Sequence, residues 1–304
     1  MTTGAVTMKT HQAGLFEEPG RSSQYLEYQF RSTSDAELRQ ALSQAVKPVD
    51  GAHILVAFNQ ASWQRLGPGW SPDGLHDFTA QYSAKGHVMP ASQRDMFIWV
   101  VGEDRGDVMN AVVQVTEALN SIADLELDLD GYKTRDARII TGFVDGTGNP
   151  GTAEKKRAAA IIPEGQPGEG GSFVLGQKWT HRLQEFLSLS VTAQENVIGR
   201  TKETNIELEG TALPPESHVG RTDIDVDDVP MKMYRRGTPY GGGQDKGLYF
   251  LAFACDMDRF VNVIDSMLGK DDGITDAMMD FSDALTGSYW FMPSQEDLAA
   301  ALAG

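Results

Sequence analysis

Met96-Phe97-Ile98-Trp99-Val100-Val101 is a short, unbroken apolar run, rich in β-branched and aromatic residues and bounded by polar segments, so it reads as a strand. After it, Val108, Val112, Val115 and Leu119 recur at helical spacing, and Leu125, Leu127 and Leu129 then recur at strand spacing. Upstream, Tyr25 to Phe30 alternates as a half-buried strand would. Ser34 and Glu37 form a capping box ahead of a helix with Leu38, Leu42 and Val46 on one face. Ile54-Leu55-Val56-Ala57-Phe58 supplies another strand. The order is β-α-β-β-α-β, a ferredoxin-like unit.

The same order recurs further on. Phe173-Val174-Leu175 opens it, a helix follows from Ala193 to Gly199, and Met231 to Arg235 and Leu248 to Ala254 read as strands. A helix from Arg259 to Leu268 and a strand from Ser288 to Phe291 complete it. No residue-level repeat is visible, so the duplication rests on element order alone. The expectation is an α+β chain with a loose leader over residues 1–20, an N-terminal ferredoxin-like domain over 21–140 and a C-terminal one over 141–304. Two such units packed sheet to sheet leave a cavity between a sheet and its covering helices, a place that cofactors favour.

Forty-three acidic against twenty-six basic residues give a net charge of −17. That charge argues against a nucleic-acid partner and suggests a weak preference for cationic substrates. No apolar run reaches the length needed to cross a bilayer, so no membrane partner is expected. Met1 to Gly20 lacks the basic patch and apolar core of a secretion signal. A single cysteine, Cys255, rules out an internal disulfide framework and agrees with a reducing, cytoplasmic compartment. Within the run Leu248 to Cys255 it reads as a buried strand position.

Gly142-Phe143-Val144-Asp145-Gly146-Thr147-Gly148-Asn149-Pro150 places one carboxylate in a turn enforced by glycines and a proline, with Ile139-Ile140 expected as the strand leading in. An Asx-type turn, with Asp145 bonded only to its own backbone, is the plainer reading of that pair. None of the six histidines pairs with another at metal-ligand spacing. His11 falls in the leader, His53 starts a strand, and His76, His87 and His181 stand beside polar residues as surface or packing histidines. His218 differs, being held between Pro214-Pro215-Glu216-Ser217 and Gly220-Arg221. Arg235-Arg236 is either a solvated basic pair or a strand end at which one arginine points inward and needs an anionic or polar partner. Two acidic patterns, Glu126-to-Gly131 and Asp223-to-Asp228, lack the residues a calcium loop requires and read as strand faces or turns. The run Gly241-Gly242-Gly243 has no following Lys-Ser or Lys-Thr and is no phosphate loop.

Five segments, in this order and spacing, resemble the dye-decolourising peroxidases in their compact bacterial (B-type) form: Gly142 to Pro150, Val197-Ile198-Gly199-Arg200-Thr201-Lys202, Ser217-His218, Arg235 with Pro239-Tyr240-Gly241, and Gly247-Leu248-Tyr249-Phe250. The match runs from about Tyr25 to Pro293. The resemblance implies two ferredoxin-like domains in a dimeric α/β-barrel-like arrangement, with haem b (iron protoporphyrin IX) in the C-terminal half. It makes His218 the proximal iron ligand. It assigns Glu207, eleven residues earlier, to the far nitrogen of that imidazole. Asp145 and Arg235 become the distal pair, Arg200 meets a haem propionate, Leu248 and Phe250 form the apolar wall over the distal face, and Arg236 points away.

The activity so implied is reduction of hydrogen peroxide and one-electron oxidation of dye-like or phenolic aromatic reductants through a ferryl intermediate. Asp145 moves the proton and Arg235 stabilises charge on the departing oxygen. Gly237 departs from the Asn or Ser that many compact members carry, which removes a hydrogen bond to distal water. Family members commonly assemble as homo-oligomers. The chain ends at Gly304, soon after Pro293, so the C-terminal extension that docks some relatives in an encapsulating shell is not expected. Two other readings stand beside the enzyme: a haem-handling protein that binds haem or releases iron, and a haem-free α+β interaction protein.

Overall fold

Eight strands close into a ring in the computed structural model, which describes residues 9–303 apart from Pro19 and Pro68. They are β1 (Ser22–Phe30), β2 (Ala52–Phe58), β3 (Met96–Gly102), β4 (Ala123–Tyr132), β5 (Ser172–His181), β6 (Thr238–Gly241), β7 (Lys246–Ala254) and β8 (Ser288–Met292). Neighbours run β6-β4-β1-β3-β2-β8-β5-β7, and β7 pairs back onto β6, all antiparallel. The architecture is α+β, built on a closed antiparallel barrel-like sheet, and closure removes the free edges an open sheet must protect. Within the N-terminal half the strand order is β4-β1-β3-β2, and within the C-terminal half it is β8-β5-β7-β6, the same arrangement of fourth, first, third and second strand.

Both faces of β3 and β8 are buried, which is why they read as apolar runs, whereas β4 leaves Asp124, Leu125 and Glu126 exposed. Alternate residues enter two separate clusters. Tyr25, Phe97, Trp99, Tyr249, Phe253 and Trp290 fill the barrel interior, with Tyr25 stacked on Tyr249 at 4.3 Å between ring centroids and Phe97 on Trp290 at 4.9 Å. Leu26, Ile98 and Val100 face outward and pack against Leu38 and Leu42 of the Asp35–Ala45 helix and Val108, Val112 and Val115 of the Arg105–Leu119 helix. The capping box forms as expected: the Ser34 hydroxyl accepts from the Glu37 amide at 3.3 Å and the Ser34 amide donates to Glu37 Oε2 at 3.0 Å. β1 is not half-buried, because helices cover the face that would otherwise meet water.

The two halves meet at thin seams. Phe58 and Phe291 are the one register pair between β2 and β8, and Tyr240 and Gly131 the one between β6 and β4. Gln12 reinforces the first seam: its buried amide donates to Val56 O at 2.9 Å and Pro293 O at 3.0 Å and accepts from the Val56 amide at 2.8 Å. Leu15 is fully buried in the barrel cluster. The expected loose leader is therefore corrected over residues 9–18, which pack against both halves; residues 1–8 lie outside the described residues.

Two further expectations change. Ile139-Ile140 is not a strand; Arg138 and Val144 form an isolated bridge around a tight turn, with Gly142 N bonded to Ile139 O at 2.8 Å. Of Met231 to Arg235, Tyr234–Arg235 alone pairs as strand; Met231 N instead donates to Ile224 O at 2.9 Å, and Arg259 Nη1 takes the Lys232 carbonyl at 2.5 Å. Asp227 and Asp228, both with positive φ, make the hairpin turn between Asp225–Val226 and Val229–Pro230, in line with the turn reading of that acidic run. Cys255 lies just past β7, buried, and burial pushes its thiol up to about 11, so it is a packing residue and not a nucleophile at neutral pH. Among the described residues, no helix is long and apolar enough to cross a membrane.

Glu27 is a carboxyl group inside the barrel, 1% exposed, with Oε1 accepting from the Tyr249 hydroxyl at 2.8 Å and Oε2 without a partner. Burial raises its pKa from 4.5 to about 7. The folded protein holds that proton more tightly than the unfolded chain does. Stability is therefore greatest below pH 4.5 with respect to this group and falls as pH rises toward about 7. Glu27→Gln should abolish that slope and raise unfolding free energy above pH 7 by roughly 3 kcal/mol, as read from urea midpoints at several pH values. A pH dependence identical in both proteins would refute this.

Candidate active site

The cavity lies on the outer face of the C-terminal strands, between β5, β7 and the helices that cover them, with about 1460 Å³ of open space, mouth included. Every second residue of β5 from Leu175 onward lines it, Leu175, Gln177, Trp179 and His181, as do Leu248 and Phe250 of β7. The Asp258–Leu268 helix adds Phe260, Val263, Ile264 and Met267, the i, i+3, i+4, i+7 stripe of an amphipathic helix.

His218 opens the short His218–Thr222 helix, whose N-cap Ser217 hydroxyl accepts from Gly220 N at 3.2 Å. Arg221 ties that helix down, donating to Asp272 at 2.7 and 3.1 Å and to Ser266 O at 2.8 Å. Gly199 allows the preceding helix end to pass close by: its φ is +91°, and a Cβ there would sit 2.8 Å from Val219 Cβ. The imidazole Nδ1 lies 2.7 Å from Asp276 Oδ2. Asp276 is fully buried, and its other oxygen accepts from Met278 N at 2.8 Å. A carboxylate so placed fixes the ring, keeps the proton on Nδ1 and leaves Nε2 as the donor atom toward a ligand.

The residue expected to do this, Glu207, does not. Glu207 is ion-paired with Arg200, and the two residues also bridge through their backbones, so the carboxylate is turned away from His218. Arg200 itself lines the cavity.

Asp145 follows the Arg138–Val144 bridge directly, its amide bonded to Ala137 O at 2.9 Å. The turn is locked to Arg235: Asn149 Nδ2 donates to Arg235 O at 2.9 Å, and the Arg235 amide donates to Asn149 Oδ1 at 2.8 Å. Gly148 is needed because the guanidinium occupies the space a side chain would take, Arg235 Nη2 lying 2.5 Å from the position of a Cβ. Asp145 and Arg235 both line the cavity, and Arg235 has no carboxylate within ion-pair distance among the described residues. Arg236 does turn the other way, into the barrel, where its guanidinium stacks over Trp99 at 4.9 Å. At Gly237 an added Cβ would meet Leu251 N at 2.9 Å and Phe250 Cα at 3.0 Å, so the backbone of β7 fills the place of a side chain.

The structure thus gathers Asp145, Arg200, His218, Arg235, Leu248 and Phe250 around one cavity. Asp276, Asn149 and His181 were not singled out. Asp276 stands 58 residues beyond His218 with no motif around it. His181, read as a surface or packing histidine, also lines the cavity, its Nδ1 2.7 Å from Ser282 Oγ and its Nε2 buried without a partner. Burial, then the nearby His218, lowers its pKa to about 4, so it is neutral at neutral pH. An acid, a cation and an oriented imidazole around an apolar chamber suit acid–base chemistry on a small molecule held beside a bound prosthetic group.

A family profile described as "Dyp-type peroxidase, C-terminal" matches residues 136–297, the part of the chain that builds this cavity. The chain belongs to the Dyp-type peroxidase family. It is 32% identical over 255 residues to a dye-decolorizing peroxidase of Mycobacterium tuberculosis, covering 81% of this chain and 75% of that one. A dyp-type peroxidase protein from Shewanella oneidensis superposes with a TM-score of 0.91 at 28% identity, over 97% of this chain and 99% of that one. A variant of DypB from Rhodococcus jostii, in complex with heme, gives a TM-score of 0.87 at 28% identity, over 94% and 97% of the two chains. Membership in this family makes the protein a peroxidase, an oxidoreductase.

Gly148→Ala should push Arg235 out of place without touching Asp145 or His218. The expected result is about a tenfold loss of peroxidase turnover, about 1.4 kcal/mol in the barrier, with the thermal midpoint nearly unchanged. Full activity in the alanine variant would show that the guanidinium position is irrelevant to turnover.

Proposed function

We propose that this chain is a haem b peroxidase that reduces hydrogen peroxide and oxidises small aromatic reductants, dye-like or phenolic, in one-electron steps. The observation that carries the reading is the His218–Asp276 pair at 2.7 Å, set in the same apolar chamber as Asp145 and Arg235. The donor set fits a haem: one oriented imidazole for the iron, walls of Leu248, Phe250, Met267 and Met279, and the Arg200 guanidinium at the edge for a propionate. We also read the chain as two ferredoxin-like units, 21–140 and 141–304, the second of which holds the haem.

Bound haem would supply the iron centre that accepts peroxide's oxidising equivalents and delivers them one electron at a time. The protein's residues do the rest. His218 would hold the iron through Nε2, and Asp276, by accepting the Nδ1 proton, increases the donor strength of that ring. Asp145 would take the proton from one peroxide oxygen and hand it to the other. Arg235 would place positive charge where negative charge develops on the leaving oxygen, in a chamber whose apolar walls strengthen the effect. Leu248 and Phe250 would keep bulk water off the reacting oxygens.

Titration of the purified protein with haem should give a Soret band, and His218→Ala should weaken haem retention and shift that band. Asp145→Asn should lower turnover with peroxide about 100-fold and Arg235→Leu about 100-fold to 1000-fold, both with haem content unchanged. Absence of a Soret band in a protein folded by circular dichroism would falsify the haem assignment. Unchanged turnover in both distal variants would remove Asp145 and Arg235 from the reaction.

A further inference from the structure

A second hollow, with about 960 Å³ of open space, adjoins the cavity and shares Ile139, Asp145, Gly146 and Arg235 with it. In a chain of net charge −17 its lining is strongly basic. Arg21, Lys133, Arg135, Lys156, Arg235 and Arg236 all line it, and Glu18 and Asp145 are its two carboxylates. Glu18 is committed, bonded to Lys156 at 2.8 Å and to the Tyr234 hydroxyl at 2.7 Å. Arg21 has Glu103 at 3.6 Å. Among the described residues, Lys133, Arg135, Arg235 and Arg236 have no carboxylate within 4.0 Å.

Arg236 sends its guanidinium behind this hollow, into the barrel. It is 2% exposed, yet Nε and Nη2 are buried with no hydrogen-bond partner. Nη1 donates to Leu15 O at 2.9 Å and to the Tyr234 hydroxyl at 3.1 Å. Those two nitrogens are closed off from solvent and the guanidinium stacks over Trp99 at 4.9 Å, so Arg236 supplies a fixed positive charge behind the hollow, while bonds to an occupant come from the cations that line it. Lys133 lines the hollow, and burial, then Arg236, makes its ammonium easier to deprotonate, which an anion beside it would reverse.

We propose that this hollow binds a small oxyanion, held by Lys133 and Arg135 beside Arg235 and Asp145, with the buried charge of Arg236 behind them. Its occupant is either a free inorganic oxyanion or the carboxylate or sulfonate of an organic reductant. The second identity rests on the peroxidase reading, whereas the binding does not. The site reverses locally the cation preference that the net charge suggests, because field at a few ångströms is set by the nearest charges and distant surface charge is screened.

The test is calorimetric titration of the haem-loaded protein with sodium benzoate at low salt, with benzyl alcohol as the uncharged match. Arg236 is buried in the barrel and its replacement risks the fold, so the variant is Lys133→Ala with Arg135→Ala, both outside the core. The proposal expects saturable benzoate binding, little or none of the alcohol, and about a tenfold or greater loss of affinity in the double variant. Benzoate binding equal in wild type and variant, equal binding of the alcohol, or no binding would each overturn it. Competition by inorganic phosphate identifies a free oxyanion as occupant. Retention of benzoate against phosphate, still lost in the variant, identifies the acid group of an organic molecule. Repeating the titration on haem-free protein separates the two readings, since failure to take up haem sinks the peroxidase chemistry and leaves the benzoate result to decide the hollow.

Discussion

The long antiparallel pairing of β5 with β7, from Phe173 opposite Ala254 to Thr180 opposite Gly247, is the contact on which the rest of the molecule depends. One face of that ribbon closes the barrel, through Val174, Tyr249, Leu251 and Phe253. The other face is the floor of the active-site cavity, through Leu175, Gln177, Trp179, Leu248 and Phe250. Because side chains alternate, the register that buries the tyrosine inside the barrel is also the register that presents its two neighbours to the cavity. The functional groups then hang on this ribbon: Arg235 lies along β7, with Ala252 as its register partner, and the Asp145 turn is clamped to Arg235 by Asn149.

Much of this was legible because local chemistry and global packing agree. The capping box at Ser34 and the unbroken run from Met96 to Val101 needed no tertiary information, the first because its bonds are local and the second because two covered faces make every position apolar. The grouping of Asp145, His218 and Arg235 was visible through the family resemblance of their short motifs. The His218 partner was not. Glu207 sits at a plausible distance along the chain, but a guanidinium seven residues away captures it, and Asp276 comes to the imidazole only after the Asp258–Leu268 helix has turned the chain back. Similarly, nothing local to Met231 announces that Arg259 will take the Lys232 carbonyl that a strand would have used. Side-chain competition for backbone groups is a tertiary fact.

Charge shows the same separation of scales. The summed composition describes how the molecule repels its own kind and other polyanions, and it holds for the surface as a whole. At the rim next to Asp145 the sign is opposite, because the fold brings together cations scattered from Arg21 to Arg236. A small molecule arriving at the chamber meets that local field and not the average.

The interleaving of residues along β7 also bears on how such a protein changes over generations. Leu248 and Phe250 touch the cavity, Tyr249 and Leu251 the barrel, so the strand carries two independent scripts in alternate letters. Drift at the even positions can reshape the chamber and its choice of small molecules while the odd positions go on holding the ring together. A lineage built this way can explore new chemistry at little risk to its scaffold.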